Sequence, residues 1–116
     1  MGKVLAFTRT FDPHTAFLKA HGEAEIARAE RELADARWFA VHRITPTTSG
    51  PLWDARGEAF ERLQRAVFKL AETPALTKEH FRMKKRAIGP VWLKSEAEFF
   101  DPLREGIARD EERLRA

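Results

Sequence analysis

One short segment of this chain cannot be helical, and the sequence on both sides of it has a helical period. Ile44-Thr45-Pro46-Thr47-Thr48-Ser49-Gly50-Pro51 holds two prolines, a glycine and four hydroxyl residues, the residue types that stop helices and build turns. Upstream, Asp12-Pro13 is a helix-start signal, because Asp caps free amides and Pro is pre-set for the first helical position. From there Leu18, Gly22, Ile26 (or Glu25), Ala29, Leu33, Ala36 and Ala40 step by threes and fours. The spacing predicts one helix from about Asp12 to Arg43, packing through that stripe of small residues. Arg28, Glu32 and Asp35 then fall on the opposite, charged face. Gly22 costs about 1 kcal/mol relative to Ala and marks where this helix would break or kink.

Downstream of the loop, Leu52, Ala55, Ala59, Phe60, Leu63, Ala66, Val67 and Leu70 repeat the period as far as Glu72. Two amphipathic helices joined by a short turn form an antiparallel hairpin. Phe60 and Leu63 fill the seam, and Trp38 and Trp53 meet at the end near Ile44. Thr73-Pro74-Ala75-Leu76 stops the second helix, and Thr77 caps a third that runs through Phe81, Met83 and Lys84 to Ile88, ending at Gly89-Pro90. Beyond Val91-Trp92-Leu93, Ser95-Glu96-Ala97-Glu98 reads as a capping box, with a second start signal at Asp101-Pro102. A proline inside one continuous helix would break it. The expectation is therefore a turn over Ser95–Phe100 and a last helix from Pro102 to about Arg115, with Leu103, Ile107 and Leu114 facing the core. Val4–Thr8 suits a short N-terminal strand or arm. The fold class is all-α: one domain over residues 1–116, a hairpin of two long helices plus two shorter C-terminal ones.

At 116 residues the chain holds one domain rather than two. Nine Phe, three Trp and 43% apolar residues separate it from disordered chains. There is no Cys, which removes disulfides and thiolate metal sites and fits a reducing compartment, so the expected localisation is cytoplasmic. No run approaches the roughly 18 apolar residues that cross a bilayer, and no membrane association is expected.

The charge is segregated. From Lys78 to Lys94 six cations (Lys78, Arg82, Lys84, Lys85, Arg86, Lys94) face one acid, Glu79; from Ser95 onward seven acids face four arginines. Arg82, Lys84, Lys85, Arg86 and Lys94, with Trp92 to stack on a base, are candidate contacts to nucleic acid or an acidic partner. The competing reading has the same cations paired with Glu105, Asp110, Glu111 and Glu112. Trp38, Phe39, Trp53 and Phe100 are candidate protein-interface residues, because large aromatics anchor interfaces and a small domain leaves some of them outside its core; that leaves room for a homodimer.

Catalytic groups are absent from the pattern. His14 and His21 stand seven apart, roughly 10 Å along a helix and too far for one ion. The paired acids Glu23/Glu25, Glu30/Glu32 and Glu111/Glu112 sit among arginines, as solvated ion pairs do. No di-iron Glu-x-x-His, GxGxxG, Walker or GxSxG motif occurs. No catalytic residue, metal or cofactor is expected.

Pro74-Ala75-Leu76-Thr77 with Lys84, and Gly106-Ile107-Ala108-Arg109-Asp110-Glu111-Glu112-Arg113-Leu114 near the end, resemble motifs of small helical proteins from α-proteobacteria and their prophages. Such a resemblance implies a helical, phage-associated protein and supplies no active site. The function expected is that of a non-enzymatic helical interaction protein, phage- or prophage-derived, that binds and can inhibit a host macromolecular complex. The alternative is a nucleic-acid binder using residues 78–94.

Overall fold

The computed structural model describes residues 12–115, so the strand or arm expected at Val4–Thr8 lies outside the described residues. The elements are α1 (Pro13–His42), α2 (Pro51–Glu72), α3 (Lys78–Ile88), α4 (Pro90–Lys94), a 3-10 turn at Glu98–Phe100, and α5 (Asp101–Arg115). The fold is all-α, with no strand among the described residues.

Each helix starts where the sequence offers a cap. The Asp12 carboxylate accepts from the His14 amide (3.0 Å) and the Thr15 hydroxyl (2.7 Å), and the hydroxyl bond holds its pKa below the usual carboxylate range. Thr77 takes the same position on α3, its Oγ accepting from the His80 amide at 3.0 Å. Gly50 and Gly89 precede prolines and lie at φ +96° and +94°. That conformation favours glycine, and the proline that follows needs no amide partner in the first turn. The Gly89-Pro90 stop therefore also starts α4, a single turn that the sequence pattern left as a linker.

α1 crosses Gly22 without a break; nothing stands within 4 Å of a Cβ built there. Its packing face differs from the expected one. Phe17, Ala20, Ala24, Ala27 and Trp38 are buried, whereas Leu18, Ile26 and Leu33 are half or more exposed. Arg28 and Asp35, expected on the solvent face, lie at the seam: Arg28 reaches the Ala87 carbonyl on α3 (2.7 Å) and Asp35 binds Arg56 on α2 (2.8 Å). The cause is that α1 carries two apolar stripes on opposite sides, each with a helical period. The stripe with Phe17 and Trp38 buries the larger aromatic surface and wins.

α2 presents Ala59, Leu63, Val67, Leu70 and Ala71 to the centre, where Ile88 of α3 and Leu103 of α5 join them. α5 approaches α2 at Gly106. A Cβ there would lie 2.2 Å from the Ala71 carbonyl oxygen, so no side chain fits without separating the helices. Gly106→Ala should therefore destabilise the fold by about 1–3 kcal/mol, whereas Gly22→Ala, in open space, should stabilise it by up to about 1 kcal/mol. Chemical denaturation of the two variants beside the parent checks both signs.

Candidate functional site

The basic segment divides into an interior cation and an exterior group. Lys84 is fully buried, and its Nζ donates to Asp110 Oδ2 on α5 (2.6 Å) and to the Thr73 carbonyl (2.7 Å). Burial pushes its pKa below the ordinary lysine value, opposed by the hydrogen bond and charge of Asp110. Asp110, 2% exposed, also accepts from the Ala75 amide (3.3 Å), and Arg113 bridges Asp110 to the Ala75 carbonyl (2.7 Å). The segment Thr73-Pro74-Ala75 is thus fastened by side chains from α3 and α5. Lys84 was expected to contact nucleic acid or an acidic partner; it sits at the helix position that faces the core and cannot do so. The short motifs read as a resemblance, Pro74–Thr77 with Lys84 and Gly106–Leu114, meet in this network. Their residues hold the fold together.

Other cations are spread over the outside. Arg82 pairs with Glu79 (2.8 Å), and the Lys85 ammonium lies 4.6 Å from the centre of the Phe81 ring. Arg86 is exposed beside His21, Glu25 and Arg28, and Lys94 is exposed at the end of α4. Trp92, expected to stack on a base, packs between Phe60 (6.2 Å between ring centres) and Phe100 (5.4 Å). Phe100 is half-buried against Trp92 and Phe99, so neither presents an open aromatic face.

The tip of the α1–α2 hairpin gathers a different set. Trp38 and Trp53 come within 5.4 Å. Trp38 is 6% exposed, stacks on His42 at 4.2 Å and donates its indole N–H to the Thr47 carbonyl (3.2 Å). His42 Nδ1 in turn accepts from the Thr47 amide at 3.0 Å, which pins the loop. Trp38 is therefore a support inside the tip and not an interface residue. Phe39, Val41 and Ile44 (83% exposed) stay outside.

Arg56 organises the tip. Its guanidinium lies 4.5 Å from the Trp38 ring centre, 5.4 Å from Trp53 and 5.6 Å from Phe39, while its Nε holds Asp35 at 2.8 Å. Arg31 reaches the same Asp35 (3.5 Å) and lies 4.4 Å from the Phe60 ring. Arg31, Trp53, Arg56, Gly57 and Phe60 line a cleft of about 210 Å³. Two guanidiniums share one carboxylate there, so a positive charge remains between aromatic walls. Such a site fits an acidic group carried next to apolar surface. The sequence reading found the two tryptophans and missed the arginines. Arg28, Arg31 and Arg56 looked like ordinary helix-surface charges, and the sign of their role was the proximity of Arg31 and Asp35 to Trp38 along α1, seven and three residues away.

The histidines of the opposite end surround Phe17: His80 stacks on it at 4.3 Å, His21 at 6.1 Å, and His14 meets His80 edge-on at 5.5 Å. Among the described residues no group of three His, Asp or Glu could hold a metal ion. No described helix is long and apolar enough to cross a membrane. Comparison with protein-family models, curated proteins and solved structures finds no match to this chain.

The division of the basic segment makes a stability prediction. Lys84→Met strands Asp110 without its cation and should cost about 3–5 kcal/mol, with Asp110→Leu added to it recovering part of the loss. Lys85→Glu with Arg86→Glu, both exposed, should change stability by no more than about 1 kcal/mol. Urea unfolding followed by circular dichroism separates the two cases.

Proposed function

We propose that this chain is a non-enzymatic interaction protein that binds a protein partner at the tip of its α1–α2 hairpin. The observation that carries this reading is the cleft at Arg31, Asp35 and Arg56. It combines stacked guanidiniums, an aromatic wall from Trp53 and Phe60, and exposed Phe39 and Ile44 beside it. Trp and Arg dominate the energetics of protein interfaces, especially in desolvated pockets. The partner chemistry that matches is an acidic residue flanked by apolar ones. A phage- or prophage-derived inhibitor of a host complex is the concrete form of this reading, supported by the resemblance of Pro74–Thr77 and Gly106–Leu114.

Nucleic-acid binding by residues 78–94 is the second reading, favoured by the exposed Lys85, Arg86 and Lys94. It is weakened by the burial of Lys84 and the pairing of Arg82 with Glu79.

Selection of peptides from a random library on the immobilised chain distinguishes the two. The hairpin reading expects acidic, apolar-flanked peptides whose affinity falls about tenfold or more in Arg56→Ala or Trp53→Ala. Lys85→Glu with Arg86→Glu should leave that affinity unchanged. Failure to select any such peptide, together with DNA or RNA binding that collapses with added salt, would reverse the order of the two readings.

A further inference from the structure

On the side of α1 turned away from α2, Gly22, Ile26, Ala29, Leu33, Ala36 and Ala40 form a second apolar stripe. Ile26 is 63% and Leu33 50% exposed, and Ala29, Ala36 and Ala40 are exposed too. The steps between these residues are four, three, four, three and four. That is the seven-residue repeat of a two-stranded helical seam, sustained over about 27 Å of helix. The repeat alternates in size. The large residues Ile26 and Leu33 occupy one core position; Gly22, Ala29 and Ala36 occupy the other.

We infer that a second copy of this chain docks on this stripe, its α1 running antiparallel to the first. The sizes choose the direction. In an antiparallel pair the two core positions face each other, so every layer matches a large residue to a small one or a small one to a small one. Centred near residue 31, the pairing sets Ile26 against Ala36 of the second copy, Leu33 against Ala29, and Ala40 against Gly22. A parallel pair would set Ile26 on Ile26 and Ala29 on Ala29, leaving layers of unequal thickness. The small residues allow the two axes to approach to about 8 Å. The same register brings Leu18 level with Ile44 of the second copy, which covers the most exposed large residue of the chain.

Charge on one flank agrees with this register. Glu23 lies opposite Arg37 of the second copy, twice by symmetry, and neither takes part in the ion pairs made within α1 or between α1 and α2. Glu30 on the same flank is engaged by Arg62 of its own chain (4.0 Å). On the other flank Glu32 meets its own copy at the two-fold axis, an unfavourable contact. The stripe is on the side of α1 opposite Arg31 and Asp35, so this inference stands apart from the hairpin-tip reading.

Sedimentation equilibrium of the full chain over a range of concentrations tests it. The expected result is a reversible dimer whose dissociation constant rises about a hundredfold or more in Ile26→Glu with Leu33→Glu, the helical signal being unchanged. Arg37→Glu should weaken the dimer, and Glu23→Arg in the same chain should restore it; Glu32→Gln should tighten it. The chain has no Cys, so Glu32→Cys should give a disulfide-linked dimer on oxidation. A parent that stays monomeric at high micromolar concentration overturns the proposal, as does a dimer that survives the double Glu variant. A dimer in which Glu32→Cys fails to cross-link overturns the antiparallel arrangement.

Discussion

The Lys84–Asp110 ion pair ties the C-terminal half of this molecule to the α1–α2 hairpin. Neither group meets water, so their charges are compensated by each other and by the backbone around them. Lys84 satisfies the Thr73 carbonyl and Asp110 the Ala75 amide, two polar groups that a proline-containing turn leaves without helical partners. Taking either side chain away exposes the other as an uncompensated buried charge and frees the turn at once. The placement of α3 and α5 on α2 follows from this arrangement, because both helices are fastened to the same three residues between α2 and α3.

The same economy governs many of the chain's cations. Arg28 binds the last carbonyls of α3, Arg104 those of Ser95 and Ala97, and Arg113 that of Ala75. Each places a positive group where helix ends or turns present unpaired oxygens. A high isoelectric point in this protein is therefore in good part a count of internal fasteners. The charge left to act on a partner is local: a guanidinium pair sharing one carboxylate at the hairpin tip, and a few exposed cations on α3 and α4.

The order and limits of the helices were legible in the sequence because punctuation there is local. Asp12-Pro13, Thr77, Gly50-Pro51 and Gly89-Pro90 each act within a turn of where they stand. The orientation of α1 was not, because alanine is spread around the helix and two stripes compete; only the partners at Phe17 and Trp38 decide between them. Lys84 was read as surface for a related reason. A lysine between Met83 and Lys85 carries no local sign of burial, and its partner lies 26 residues away on another helix. At the hairpin tip the aromatics were legible by size. Arg56 was not, since an arginine on an amphipathic helix looks the same whether it stacks or floats.

The fastening of residues 73–75 also sets an order of assembly during synthesis. The hairpin needs nothing beyond Glu72, and its seam can close while the remainder is still being made. The Thr73-Pro74-Ala75 connection acquires its anion and its second cation only when Asp110 and Arg113 have left the ribosome, within the last few residues of the chain. Until then Lys84 has no counter-ion and α3 no reason to settle on α2. A chain stopped a few residues early would thus leave the ribosome as a formed hairpin trailing an unsecured half, which is the form most open to proteases and chaperones.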